Sequence, residues 1–363
     1  MLTIVLRKRV YRLLSYIGLM IIFFQCSETE NAYQPSYESK EGDKKIYKEI
    51  NFFEEDSYLY NSLIENNTSL KYLSDFEVNK DNNSLLLLFR RGTVIELFDD
   101  KTMLLINSSG SGPGEMQFAT KIKIRNSKIY ILDRNLNKIL KFDLNGKFIK
   151  DIVINSGLSR SFEISEDENI MIVNSIPFGL NPLVHVFDET GKQTDEIGTN
   201  KIIQPILEMT EHIPAFLINK NKINDDLVLT SILTGKSFII NLINEKVKAK
   251  FSIDNGPEWE AMVRFEKETK INANVNGFFR KIENVDFFSN GDILVSWGGP
   301  YKKTRTISVI FDSNGHFKNR IFGNKTLHFR PTLLSIQNDS TFWIYSRNNS
   351  FLGKAFIKEI DRY

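Results

Sequence analysis

"KIYILDRNLNKILKFDLNGKFI", residues 128–149, decides the fold. An apolar strand ends on Asp133 and a polar turn carries Arg134 and Asn135. A second strand runs to Asp143, and Asp143-Leu144-Asn145-Gly146 then turns the chain into a third. An Asp-x-x-Gly turn has a mechanism. The Asp side chain caps nearby backbone amides, and glycine takes the left-handed conformation that a tight hairpin requires. The outer half of this unit recurs. "FDLNGKFIKDI" at 142–152 has relatives in "FDDKTMLLI" at 98–106, "FDETGKQTDEI" at 187–197, "NLINEKVKAKFSI" at 241–253 and "FDSNGHFKNRIF" at 311–322.

Each outer hairpin follows an inner one that reads apolar strand, Asn/Asp-rich turn, apolar strand. The six are "FEVNKDNNSLLLLF" (76–89), "IKIRNSKIYILD" (122–133), "FEISEDENIMIVN" (162–174), "FLINKNKINDDLVLT" (216–230), "VDFFSNGDILVSW" (285–297) and "LLSIQNDSTFWIY" (333–345). Four-stranded units repeated six times predict an all-β fold, a six-bladed β-propeller. The 28 Phe and 12 Tyr agree with a β-rich chain. The sixth repeat has a single outer strand, "GKAFIKEI" at 353–360. The alternating segment "KKIYKEINFF" at 44–53 is expected to supply its missing fourth strand and so close the ring at residues 44–363.

The second repeat resembles the blade consensus of the TolB-like and NHL-like six-bladed propellers. With "GSGPGE" just upstream, it is most similar to the six-bladed propeller lipoproteins of Bacteroidota. The resemblance covers residues 71–363, with the tight match confined to 110–150. It implies an envelope protein, and it leaves open a single calcium ion held by acids and amides in the channel, as in lactonase-like propellers.

The stretch "SSGSGPGEMQF", residues 108–118, has the look of a phosphate-binding loop. A dinucleotide loop needs Gly-x-Gly-x-x-Gly between a strand and a helix. Here Gly110, Gly112 and Gly114 are two apart, Glu115 would repel phosphate, and a strand follows. The stretch reads as the connector from blade one to blade two. "LTGKSF" at 233–238 ends like a P-loop but has Thr230 where the first glycine belongs, inside a hairpin.

At the N-terminus, "RKRVYR" precedes "LLSYIGLMIIFFQC", a basic region and a short apolar run ending on Cys26, the only cysteine. This resembles a bacterial lipoprotein signal, although Phe23, Phe24 and Gln25 depart from its usual Leu and small residues. The expectation is a signal peptide over 1–26, lipid attachment at Cys26, a flexible tether over 27–43 and a place in the cell envelope, on the outer membrane. Membrane attachment runs through that lipid. Residues 1–26 hold four bases and no acid, so the remainder carries 43 bases against 45 acids. That balance, with no basic run, argues against nucleic acid as a partner.

Propeller geometry sorts the loops. The first-to-second and third-to-fourth turns are all short. The long segments, 175–182, 198–216, 255–281 and 298–304, are second-to-third loops and blade connectors, which share the opposite face. Of these, 255–281 reads as partly helical. Loops on a rigid scaffold carry binding sites. The ends of the second strands on that face supply the candidate ligand-binding residues Arg91, Asp133, Arg134, Trp297 and Arg347, with Arg90 and Asn174 beside them. The arginines and Trp297 suit an anionic or sugar-like ligand. Structural readings compete: Asp133 as a turn cap, the arginines as a solvated rim or inter-blade ion pairs.

The four histidines show no metal-ligand spacing, there is no Gly-x-Ser-x-Gly elbow, and no acid pair stands out as an acid/base couple. No cofactor is expected beyond the calcium the resemblance leaves open. The expected function is an envelope-anchored lipoprotein that binds a small-molecule or glycan ligand, or an envelope protein, on its loop-elaborated face without catalysis. The alternative is a calcium-dependent lactonase-like hydrolase or lyase using the central channel, and a third reading is a scaffold in an envelope complex.

Overall fold

Strand β1 (Ile46–Phe52) precedes six antiparallel blades. Blade one holds β2 (Leu73–Asn79), β3 (Ser84–Phe89), β4 (Thr93–Phe98) and β5 (Lys101–Asn107). Blade two holds β6 (Ala119–Arg125), β7 (Lys128–Asp133), β8 (Lys138–Asp143) and β9 (Phe148–Val153). Blade three holds β10 (Phe162–Ile164), β11 (Ile170–Val173), β12 (Val184–Phe187) and β13 (Gln193–Ile197). Blade four holds β14 (Phe216–Lys220), β15 (Asp226–Ser231), β16 (Lys236–Asn241) and β17 (Lys246–Ser252). Blade five holds β18 (Ile282–Phe287), β19 (Ile293–Trp297), β20 (Thr306–Phe311) and β21 (Phe317–Gly323). Blade six holds β22 (Leu333–Ile336), β23 (Thr341–Ser346) and β24 (Phe351–Asp361). The fold is the all-β six-bladed propeller that the repeats predict.

The computed structural model describes residues 46–52, 70–98, 101–154, 161–173, 184–197, 216–252 (without 222, 225, 233–234 and 244–245), 263–264, 267, 282–297, 306–323, 333–346 and 351–361. All belong to one compact unit, Ser39–Tyr363. The expected signal peptide, Cys26 and tether lie outside them. Of the 255–281 insertion, Val263, Arg264 and Lys267 are described, and each is helical. Strand β1 pairs antiparallel with β24 from Ile46↔Asp361 to Phe52↔Ala355. It also pairs in parallel with β21, Lys48 to Ile50 against Ile321 to Gly323. Sheets five and six are thereby joined, an arrangement the repeat pattern does not predict.

Alternation along each strand sends side chains to both faces of a blade, and both faces are apolar, so each blade must be sandwiched. Six buried clusters result, one per interface. Leu86, Leu88 and Val94 meet Ile122, Ile131 and Phe142 between blades one and two. Ile139 and Ile152 meet Phe162 and Ile172 at the next, and Val184 meets Phe216 and Phe238 at the third. Val228 and Phe251 meet Val295 and Phe311 at the fourth, and Leu294 and Ile310 meet Phe342 and Ile344 at the fifth. At the sixth, Trp343, Tyr345 and Leu352 pack on Leu73, Leu85 and Leu87 of blade one.

The Asp-x-x-Gly turns share one geometry. Asp143 Oδ1 accepts from Asn145 N at 2.9 Å and Lys147 N at 2.8 Å. Asp188 and Asp312 do the same for residues two and four further on. The glycines Gly146, Gly191 and Gly315 have φ of +78°, +85° and +82°. They also lie against the preceding blade. A Cβ on Gly146 would stand 2.3 Å from the Leu105 carbonyl oxygen of β5, and one on Gly191 2.5 Å from that of Val153 in β9. Glycine is required twice over, by φ and by this close approach.

A second tie joins blades two and three at the short-turn end. Glu168 accepts from Lys141 and Lys128, and Arg125 pairs with Glu166 at 3.1 Å. Burial alone would raise the Glu168 pKa, but the two ammonium groups hold it down to about 2.

Gly146→Ala and Gly291→Ala separate the two demands on glycine, since both positions have positive φ but a Cβ at 291 meets side-chain atoms alone, the Asn221 nitrogen at 3.2 Å and Ile223 Cδ1 at 3.5 Å. Gly291→Ala is expected to cost about 1–2 kcal/mol. Gly146→Ala adds the clash for a total of roughly 3 kcal/mol or more. Urea unfolding reads both, and equal losses would refute the close-approach argument. For Glu168 the folded pKa lies below the ordinary carboxylate value of 4.5, so its stabilisation is complete above that value and lost as pH falls toward 2. Wild type should therefore exceed Glu168→Gln in stability at pH 7, with the gap narrowing between pH 4.5 and 2. A gap that is constant across that range would count against the ion cluster.

Candidate functional site

The first strands of the blades surround a central cavity with about 120 Å³ of water-accessible space. Its lining carries four acids, Asp75, Glu77, Glu163 and Asp286, and four lysines, Lys80, Lys121, Lys123 and Lys220. Along the first strands sign alternates from blade one to blade five: acids, lysines, an acid, a lysine and an acid, with Lys80 added by the blade-one turn and Ser335 and Ile336 by blade six. Lys80, Asn221, Ile223 and Ser289 lie in first-to-second turns, so the cavity reaches the short-turn end of the propeller.

The charges are held by specific partners. Asp75 takes the Lys121 ammonium at 3.0 Å and the Ile122 amide at 3.1 Å. Glu163 takes Lys123 at 3.0 Å, the Ile164 amide at 3.0 Å and the Lys220 amide at 3.4 Å. Asp286 accepts from Phe287 N at 2.8 Å, Ile336 N at 2.9 Å and Ser335 Oγ at 3.2 Å. Asn219 donates to the Val285 carbonyl at 2.7 Å. Asp75, Glu163 and Asp286 thus each bond to an amide of the next blade: one to two, three to four, five to six. Burial works against charge on Lys123, but Glu163, Glu77 and Asp286 outweigh it and raise its pKa well above the ordinary lysine value.

The residues proposed from sequence lie elsewhere. Arg91 is exposed in the turn between β3 and β4, and the Arg90 guanidinium lies 5.4 Å from the Phe118 ring centre. Asp133 is fully buried, and its carboxylate accepts four backbone amides: Gln117 and Phe118 on Oδ2, Asn135 and Leu136 on Oδ1. It pins the 108–118 connector to the β7–β8 turn. Arg134 donates its amide to the Phe118 carbonyl at 3.1 Å. The structure therefore gathers Arg90, Asp133 and Arg134 around one connector. Trp297 ends β19 in blade five, and Arg347 and Asn174 lie outside the described residues.

The connector itself is architectural. Glu115 folds back onto the Gly112 amide at 2.8 Å, Gly114 N faces Asp151 at 3.3 Å, and Lys138 ties the Gly112 carbonyl at 3.0 Å to Asp151 at 2.8 Å. Its amides are spent on the protein rather than turned outward as a phosphate cradle needs. Gly235 of "LTGKSF" sits in the β15–β16 hairpin. Among the described residues no group of three His, Cys, Asp or Glu is placed to hold a metal ion. Asp75, Glu163 and Asp286 fit calcium poorly, since each is engaged with lysine or backbone amides.

A family model described as a 6-bladed beta-propeller matches residues 97–290, more than half of the chain. The chain belongs to that family. Solved propellers resemble it in fold at low identity. A protein of unknown function from Bacteroides thetaiotaomicron is 12% identical, with 80% of this chain and 70% of that one covered and a TM-score of 0.52. A putative exported protein from Bacteroides fragilis is 12% identical over 87% and 95%, with a TM-score of 0.50. Streptogramin B lyase is 11% identical over 86% and 98%, with a TM-score of 0.52. A search of curated proteins gives no match.

Sequence reasoning missed the cavity charges of this propeller. Their signal was present, as charges set inside the first strands of "SDFEVN", "TKIKIR", "FEIS" and "NVDFF".

Proposed function

We propose that this propeller is a non-catalytic binding protein of the cell envelope, anchored through Cys26, which takes a small polar ligand at the central cavity. One observation carries the reading: a water-accessible cavity, open at the short-turn end, whose eight charges balance in sign. Pre-paired charges make a rigid polar surface and spare a ligand the cost of ordering it. Their balance favours a ligand without net charge, because a buried charge with no counterpart is expensive. Hydroxyl-rich or zwitterionic molecules meet that demand. Catalysis is not favoured, since Asp75, Glu163 and Asp286 are engaged by lysine or amide donors rather than left as a general acid or base. Streptogramin B lyase lends the fold alone, and function follows the site rather than the fold. The loop-bearing face, which the sequence nominates, falls largely outside the described residues.

Ile223 is exposed at the cavity mouth, so Ile223→Trp should obstruct entry without touching the core. Thermal-shift and calorimetric titrations with glucose, galactose, N-acetylglucosamine, glutamine and glycylglycine are expected to find a stabilising ligand whose affinity falls at least tenfold in that variant. Unchanged affinity would move the site to the other face, and no binding by any member of the set would refute a small polar ligand. Anchoring is tested separately by growing cells on radioactive palmitate. The wild-type protein should be labelled and sediment with membranes, and Cys26→Ala should do neither. Labelling that survives the substitution would exclude lipid at Cys26.

A further inference from the structure

We propose that β5, the outer strand of blade one, is a self-association edge: two copies of the chain pair these strands antiparallel and so run one sheet through both propellers. The outer edges of the blades are guarded unequally. An open edge offers a row of amides and carbonyls that another strand can take up, and charges or a covering strand are the usual protection. The edges of β21 and β24 are both taken by β1. Strand β13 exposes Asp195 and Glu196, and β17 exposes Lys246, Lys248 and Lys250. Strand β9 carries Lys150 and Asp151 at its middle. Among the described residues no strand pairs with the outer edge of β5, and from Thr102 to Asn107 it holds no charge.

The side chains on that edge are apolar and open to water. Met103 is 53% exposed and Leu104 51%. Phe98, opposite Lys101 in the ladder, is 47% exposed and extends the apolar surface. Exposed apolar surface that is grouped in this way marks a contact. Charge selects the occupant. In a two-fold antiparallel pairing a strand meets its own residues in reverse order. About its middle, β17 would set Lys248 against Lys250, β13 would set Asp195 against itself, and β9 would do the same with Lys150 or Asp151. Strand β5 escapes this. Centred on Met103 or on Leu104, its single charge, Lys101, falls opposite Leu105 or Asn107 of the second copy. The two Lys101 residues then stand four or more residues apart along the joined sheet, about 13 Å at the rise of a strand. That exceeds the screening length of about 8 Å in physiological salt. A second copy therefore covers Met103 and Leu104 without bringing like charges together.

The test uses the full chain. In a Cys26→Ser background, Met103→Cys and Leu104→Cys are oxidised and run on a non-reducing gel, with Asp195→Cys on the β13 edge as control. Residues directly opposite in an antiparallel pair lie about 4.5–5.5 Å apart, within disulfide reach. A covalent dimer is expected at 103 or 104 and not at 195. No dimer at either position, or as much at 195, would overturn the proposal. Sedimentation velocity gives the second reading. Wild type should be a dimer, Met103→Glu and Met103→Lys should each dimerise at least tenfold more weakly, and an equimolar mixture of the two should recover. Recovery by opposite charges identifies a second copy as the occupant. A monomeric wild type, variants that dimerise as wild type does, or a mixture that stays monomeric would each count against it. Met103 lies outside the core, and if the charged variants nonetheless fail to fold, the cross-link decides.

Discussion

Every blade of this propeller is apolar on both faces, and that constraint governs the rest. A four-stranded sheet with two apolar faces cannot stand alone in water. It is stable only between two neighbours, and six such sheets satisfy one another when they form a ring. The six buried clusters are that solution, with Tyr345 and Trp343 of blade six packed on Leu73 and Leu85 of blade one. The Tyr345 hydroxyl adds a buried hydrogen bond of 2.6 Å to the Leu70 carbonyl at this last interface. Stability is thus shared between interfaces rather than held within any blade.

Apolar packing alone would let neighbouring sheets slide, because it has little direction. Polar ties fix the register. At the inner ring, Asp75, Glu163 and Asp286 each reach an amide of the next blade, and Asn219 reaches a carbonyl. Further out, the Asp-x-x-Gly turns bring a glycine against the preceding blade, with no room for a side chain at Gly146 or Gly191. The same acids that set the register also form the cavity wall. A cavity wall built this way is rigid because the fold requires it to be.

The fold was legible in the sequence because its information is local. Asp143 and Gly146 are three residues apart, and the turn they specify is formed by their own backbone. The role of Asp133 was half legible. Its position at a strand end suggested a cap, but the partners Gln117 and Phe118 belong to a connector that only the folded chain brings near. The cavity was not legible. Lys123 and Glu163 are far apart in sequence, and a charge at an alternate position of a strand reads as solvent-facing until the ring turns that strand inward. Long-range pairing of this kind leaves no spacing to read.

The two ends of the propeller differ in how the chain is turned. At the short-turn end the chain is capped by its own side chains, as at Asp188 and Asp312, and the cavity mouth inherits that order. Small ligands are bound best by such preformed surfaces, since little ordering is paid for on binding. The long segments around residues 198–216 and 255–281 join the last strand of one blade to the first strand of the next, β13 to β14 and β17 to β18. The cavity wall constrains a ligand more directly: its four acids and four lysines balance in sign, which is why the proposed ligand is polar, compact and without net charge.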